Sequence, residues 1–466
     1  MSMTSPLLED LKQALGDDQV LVGEQIAPRY MTDWSKARIC QPLLVIRPRS
    51  TEAVSAALRL CHAHGHPVTV QGEMTGLVGA SQANDGDVVM SLEFLTGIEE
   101  LDATASCMTV WAGTPLQVVQ EGAQAAGMYF AVDLGARGSC QVGGNIATNA
   151  GGNRVIRYGM MREQVLGLEV VLADGTVVTS LNKMLKNNAG YDIKQLFIGA
   201  EGTLGVVTRA VLRLHSAPAQ TVTVLCALAD DDAMVMFLKR VRGAASSSLL
   251  AFEVMWPDFF EFMTQRVPDN VSPFEAVCGT TVLMEVATGD TGLASVALEQ
   301  LLEDALEQGE IADAVVAQSG KQADAFWRIR DSVSEFPLLF SPYASFDVSL
   351  PIPQVGEFVC TLKSHLTEEF AGAQSLFFGH IGDSNLHIVV HVPGSRETFP
   401  KDQIDAAVYE LVKKYAGSVS AEHGIGTRKK KWLGHSRTPE EIALMQTIKK
   451  ALDPKEILNR GRIIDP

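Results

Sequence analysis

Three glycine-rich stretches, each beginning where a short apolar run ends, constrain this chain more than any other feature. They are Gln71-Gly72-Glu73-Met74-Thr75-Gly76-Leu77-Val78-Gly79, the block from Gly135 to Gly152, and Gly199-Ala200-Glu201-Gly202-Thr203-Leu204-Gly205. Glycine lets main-chain N–H groups approach a ligand closely. Successive N–H groups form an anion cradle, to which Thr, Ser and Asn side chains add donors without charge. One such stretch alone reads as a tight turn. Three in one region, each with polar donors, point to a large anionic cofactor carrying a diphosphate. The cradle is not of the Rossmann or P-loop kind, because neither G-x-G-x-x-G between strand and helix nor G-x-x-x-x-G-K-[ST] occurs.

A chain of 466 residues exceeds one ordinary hydrophobic core. Leu7, Leu8, Leu11 and Leu15 predict a helical lead-in over 1–37. From there to 217 short strands alternate with helices: Thr51 is expected to cap a helix, and Asp174-Gly175 to turn a hairpin. Ser216-Ala217-Pro218-Ala219 reads as a linker. Beyond it, strand–helix–strand units at 221–255 and 281–316 predict an antiparallel sheet covered on one side by helices. The expected divisions are a lead-in (1–37), a first domain (38–217), a second (218–420) and a C-terminal segment (421–466) that returns to the first.

A net charge of −17 argues against nucleic acid as a partner. At 46% hydrophobic and 20% charged residues, the composition is that of a globular protein. Cys40, Cys61, Cys107, Cys140, Cys226, Cys278 and Cys360 are scattered without a C-x-x-C pair, as expected of reduced thiols in the cytoplasm. Residues 1–16 lack the pattern of a secretory signal, and no apolar run of about 18 residues is present to span a membrane. Peripheral contact with the inner membrane and a homodimer stay open.

The second feature is His380-Ile381-Gly382-Asp383-Ser384-Asn385-Leu386-His387, followed by Glu422-His423-Gly424-Ile425-Gly426. A turn can fold His380 and His387 toward one point. Two imidazoles and a carboxylate make a three-ligand set for Zn²⁺ or a similar divalent ion, with one position open. The spacing is not that of H-E-x-x-H proteases. Arg330 and Ser334 stand four apart on an expected helix, and an arginine fork there suits a carboxylate equally well as a surface salt bridge.

These stretches, with Tyr158-Gly159, Gly190-Tyr191-Asp192 and Phe197-Ile198-Gly199, resemble the vanillyl-alcohol oxidase superfamily. The branch is that of FAD-linked D-lactate, glycolate and D-2-hydroxyglutarate dehydrogenases, and the likeness runs from about Tyr30 to Ile464. It implies an α+β fold with a two-part FAD-binding domain, a ferredoxin-like cap and a C-terminal helical return. It implies that FAD lies against Gln71, Gly72, Glu73, Met74, Thr75, Gly76 and Leu77, Gly138 and Ser139, and Gly143, Gly144, Asn145, Thr148, Asn149 and Gly151. Gly202, Gly205, Val206 and Asn459 complete that lining. It implies His380, His387 and Glu422 as metal ligands, His423 as the base, Arg330 as the anchor of the substrate's carboxylate, Lys429 as a basic residue near the site and Asn385 as an orienting group; Ser334, by its spacing from Arg330, is the further expected substrate contact, and Arg428, Lys430 and Lys431 are expected to be surface charges. Two departures stand out: Glu73 and Ser384 occupy positions where the family usually has glycine.

The implied reaction takes a D-2-hydroxy acid to its 2-oxo acid, with electrons passing to a quinone, an electron-transfer flavoprotein or a cytochrome. The hydroxyglutarate branch carries a lysine and an asparagine where this chain has Ser345 and Val389, which favours a monocarboxylate such as D-lactate. D-2-hydroxyglutarate oxidation, an oxygen-reducing oxidase, a flavin-free metal-dependent hydrolase and a flavin-binding protein without turnover are the alternatives.

Overall fold

The computed structural model describes residues 6–36, 38–245, 247–275, 279–288 and 293–465; Cys278 lies outside them. Two compact units emerge. One comprises 6–152, 159–217 and 422–465, the other 153–158 and 218–421. The short piece Asn153–Tyr158, placed in the first domain by sequence, packs with the second unit. Arg154 accounts for this: it pairs with Glu285 at 3.0 Å and lies 5.4 Å from the centre of the Trp327 ring.

The first unit opens with helix Pro6–Leu15, whose Leu7, Leu11 and Leu15 are buried along one stripe. The helical lead-in stops there. Gly16 turns the chain at φ 93°, and β1 (Val20–Val22) joins a sheet with β2 (Leu44–Ile46), β3 (Val68–Gln71) and β4 (Val88–Ser91). β1 runs antiparallel to β2, whereas β2 and β3 flank β4 in parallel. The helix Thr51–His64 makes the crossover from β2 to β3 that parallel strands need. Its cap is Ser50 rather than the expected Thr51, because Ser50 Oγ accepts from Ala53 N at 3.2 Å.

An antiparallel sheet follows. It is built from β5 (Ile98–Asp102), β6 (Cys107–Trp111), β8 (Val165–Val171), β9 (Val177–Ser180) and β10 (Val206–Arg213), in the order β5-β6-β10-β8-β9. The pair β7 (Met128–Tyr129) and β11 (His215–Ser216) stands apart. β8 and β9 form the predicted hairpin, with Gly175 at φ 86°. After Glu422 the chain rejoins this unit. The helix Pro439–Leu452, capped by Thr438 and Glu441, carries Lys449 in its last turn, whose Nζ reaches Asp453 at 2.5 Å and the carbonyl of Thr203 at 2.8 Å.

The second unit holds one antiparallel sheet of β12 (Gln220–Ala227), β13 (Leu249–Met255), β14 (Thr281–Thr288), β15 (Asp313–Val316), β16 (Tyr343–Ser349), β17 (Gln374–Gly379) and β18 (Asn385–His391). Its order is β15-β12-β14-β13-β17-β18-β16. The first four strands have the ferredoxin-like order, and the last three extend the sheet beyond β13. Helices cover both faces, not one. Phe237 meets Phe252 on one face, while Phe259, Phe326 and Ile329 pack with Met255, Phe378 and Val389 on the other. Every residue of β13 is buried, as a doubly covered strand requires. Among the described residues no helix is long and apolar enough to cross a membrane.

Candidate active site

In the second unit, β17 and β18 bring two histidines together. β17 ends at Gly379, one 3-10 turn follows (Ile381–Asp383), and β18 returns with His387 opposite Phe378. The rings of His380 and His387 are 5.3 Å apart at 80°, and each offers a ring nitrogen within 4.8 Å of the other's. Ser384 closes the turn in the left-handed region, at φ 77°. That backbone angle explains why glycine suits the position and means the serine stores strain.

Glu253, from the middle of β13, faces this turn and is 1% exposed. Its Oε1 accepts from His380 Nδ1 at 2.5 Å and its Oε2 from Arg330 Nε at 2.8 Å. Burial opposes its charge, but His380 and Arg330 outweigh that penalty and hold the carboxyl down to about 2. Arg330 Nη2, a donor, lies 3.3 Å from His380 Nε2. A carboxylate can only accept, so Nδ1 is the nitrogen that donates to Glu253, and Nε2, beside Arg330 Nη2, is the nitrogen left to face a cation. The two imidazoles fit a borderline divalent ion in chemistry and spacing.

Asp347, fully buried in β16, pairs across the ladder with His387. It accepts from Asn385 Nδ2 at 2.8 Å and Ser420 Oγ at 3.3 Å. Asn385 Oδ1 is buried and receives no donor among the described residues, so it remains able to orient a ligand. Sequence reasoning missed Glu253 and Asp347. The available signal was a lone carboxylate inside an apolar strand, since buried acids almost always have partners.

Arg330 is not the free fork expected. The helix Gly320–Asp331 buries it against Glu253 and over the Phe378 ring at 5.1 Å. Ser334 does not share its face: the α-helix ends at Asp331, and Ser334 is exposed on the 3-10 turn that follows. Ser345 and Val389 are directly opposed on β16 and β18, so the two positions noted in the sequence form one uncharged pair.

In the first unit, the loop after β3 keeps its main chain open. The N–H groups of Gly72, Glu73, Thr75 and Gly76 have no protein acceptor among the described residues. Buried Gln71 donates Nε2 to the carbonyls of Tyr30 and Ser81, while its Oε1 and that of Gln141 lack donors among the described residues. Glu73 is exposed, and its carboxylate is held by Gln141 Nε2 at 3.3 Å. A hollow of about 190 Å³ opens on Gly72, Glu73 and Met74. Open N–H donors beside orphaned acceptors fit a diphosphate with hydroxylated flanks, as FAD provides.

The remaining expected lining divides in two. Gly144 faces open space, and Gly138 and Ser139 sit on an exposed turn. Thr148 Oγ1 donates to the carbonyl of Gly144 at 3.0 Å; Gly151 and Val206 are buried. Asn145 is buried with Nδ2 on Cys140 Sγ, and Asn149 Oδ1 accepts from Arg162 N at 2.9 Å. Gly143, Gly202 and Gly205 are pressed against Ala112, Asn459 and Val170. Asn459 spends its amide on the protein, accepting from Val70 N at 2.8 Å and donating to the carbonyl of Glu201 at 2.7 Å. It is a staple rather than an open cofactor contact.

The turn carrying Glu422 and His423 is clamped within this unit. Glu201, a further residue the sequence reading left unassigned, accepts from Ile425 N at 2.6 Å and Gly426 N at 2.8 Å. Burial pushes its carboxyl up to about 7, against the pull of those two N–H groups. Gly424 and Gly426 take φ 83° and 53°, and a Cβ on Gly426 would fall 2.1 Å from the carbonyl of Val78. Glu422 Oε1 accepts from Gly152 N at 2.6 Å. Lys429 is buried, one turn on, with its N–H on Ile425. Arg428 corrects the surface-charge expectation: it donates to the carbonyl of Leu77 at 2.8 Å and faces Asp33 at 3.6 Å.

Two protein families match the chain. Residues 42–180 match the family described as FAD binding domain, and 217–463 match FAD linked oxidases, C-terminal domain. A D-2-hydroxyglutarate dehydrogenase of Xanthomonas citri pv. viticola is 38% identical, covering 99% of this chain and 98% of the relative. One from Stutzerimonas stutzeri is 35% identical over 99% of each, and the mitochondrial enzyme of Bos taurus 35% identical over 95% of this chain and 80% of its own length. Among solved structures, p-cresol methylhydroxylase superposes with a TM-score of 0.77 at 18% identity, covering 98% of this chain and 96% of that one. Alkyldihydroxyacetonephosphate synthase gives 0.75 at 16%, covering 97% and 84%; at such identities these two likenesses concern the fold. The chain is therefore a member of the FAD-linked oxidase family, with a flavin-binding domain of the kind shared across the vanillyl-alcohol oxidase fold.

Proposed function

We propose that the protein oxidises a D-2-hydroxy acid to the 2-oxo acid, using FAD and a divalent metal, zinc by its donor set. The observation that carries this reading is the meeting of His380 and His387, one of them backed by a buried carboxylate, in a chain of the FAD-linked oxidase family. Glu422 is proposed as the third ligand, from its place in the Glu-His-Gly-Ile-Gly run. When bound, FAD supplies a two-electron acceptor and the metal polarises the substrate hydroxyl.

The chain's own residues do the rest. His423 takes the hydroxyl proton. Arg330 and Lys429 hold the carboxylate, and Asn385 Oδ1 accepts from the substrate or from a group beside it. Electrons then leave for a quinone, an electron-transfer flavoprotein or a cytochrome. Family membership sets aside the flavin-free hydrolase.

The uncharged pair Ser345–Val389 favours a monocarboxylate such as D-lactate, since it offers nothing to grip a second carboxylate. D-2-hydroxyglutarate is the second reading, supported by the relatives' activity. Anaerobic addition of D-lactate, L-lactate and D-2-hydroxyglutarate to the flavin-loaded protein, with flavin absorbance followed, decides. Bleaching by a D-acid alone supports the reaction class, and the ratio of kcat/KM values orders the two acids. Bleaching by neither D-acid contradicts the proposal.

A further inference from the structure

Glu253 belongs to no motif, yet it touches two of the side chains given roles in the second unit, His380 and Arg330. Its strand is buried at every position, and an ion pair in such a place contributes little to stability compared with well-packed apolar side chains. A purely structural acid here would be expected to take any convenient partner. Glu253 instead divides its two oxygens between His380, at 2.5 Å, and Arg330, at 2.8 Å. Both bonds fix a direction. The bond to Nδ1 leaves His380 Nε2 as the ligating nitrogen, and the bond to Nε sets the guanidinium plane, with Nη2 3.3 Å from that same Nε2.

We propose that Glu253 is a positioning residue that mounts the metal-binding face of His380 and the carboxylate-binding arginine on one carboxylate. This rests on the metal reading given above. The orientation of His380 is then set together with the angle of Arg330, so that a cation and a substrate carboxylate are presented side by side. The neutral amide of Glu253→Gln makes the opposite demand. With Oε1 kept by Arg330 Nε, its NH₂ faces His380 Nδ1, forcing that nitrogen to accept and shifting the proton to Nε2.

The test uses the flavin-loaded full chain. Zinc affinity is measured by competition with a chelator for the wild type, Glu253→Gln and Glu253→Asp, with circular dichroism and flavin content as controls. Glu253→Gln is expected to keep its fold and flavin while binding zinc about 10–100-fold more weakly. The hydroxy acid's KM should rise with it, and Glu253→Asp, which keeps the charge, should recover part of both. Zinc affinity and KM within twofold of wild type in folded Glu253→Gln would overturn the proposal.

Histidine side-chain ¹⁵N spectra of the wild type give an answer even if that variant fails to fold. A proton on His380 Nδ1 is expected, and one on Nε2 would overturn the assignment. Failure of the wild type itself to take up zinc would instead refute the metal reading, while the spectra still decide how Glu253 positions His380.

Discussion

Replacing Glu201 by glutamine should change the pH dependence of stability more than stability itself. The folded carboxyl sits at about 7, whereas an unperturbed glutamate titrates near 4.3. Between those values the native state binds the extra proton, so wild-type stability falls as pH rises through the window. The gap of about 2.7 at ~1.4 kcal/mol for each pH unit corresponds to about 4 kcal/mol lost from this group between about pH 4 and pH 8. Glutamine cannot ionise and escapes that loss. At low pH it forfeits one of the two acceptors offered to Ile425 N and Gly426 N, at a cost of about 1–3 kcal/mol. Urea unfolding of wild type and Glu201→Gln at several pH values should therefore give curves that converge or cross as pH rises. Parallel curves would refute the claim that burial of this carboxylate controls the clamp.

Three other outcomes follow from particular contacts. His423→Ala should slow anaerobic flavin reduction by about 10²–10⁴-fold with flavin still bound, and an unchanged rate would remove His423 as the base. Ser384→Gly should raise stability by about 1 kcal/mol, because it relieves the φ of 77°, read as an increase in Tm; a decrease would show that the serine makes compensating contacts. Lys449→Met should cost about 3–5 kcal/mol, because Asp453 is fully buried and would keep only the N–H groups of Ile457 and Leu458. A loss under 1 kcal/mol in urea unfolding would contradict that.

What the sequence disclosed was chemistry carried by neighbouring residues. The Gly72–Gly79 loop and the His380…His387 turn each hold their groups within a few positions, where spacing makes them visible, whereas Gly143 and Asn145 of the neighbouring glycine-rich run pack against Ala112 and Cys140. Glu253, Asp347 and Glu201 lie singly in buried segments, and their roles depend on strand register and on turns far along the chain. Nothing local announces that Glu253 will stand under His380, whose strand is reached only after β14, β15 and β16. Ser334 was misread for a different reason. Its spacing from Arg330 implied one helical face, but the helix ends before it and the backbone tightens. The first four strands of the second sheet were readable as short apolar runs in strand–helix–strand units. β16 and β17 were less so, because Asp347 interrupts one apolar run and both faces of the sheet are covered.

The most direct test is stopped-flow reduction of the bound flavin by a D-2-hydroxy acid without oxygen, in protein stripped of metal and in the same protein reloaded with zinc. Reloading should raise the reduction rate at least about 100-fold, in keeping with the several kcal/mol a Lewis acid contributes. Equal rates in the stripped and reloaded samples would contradict the account.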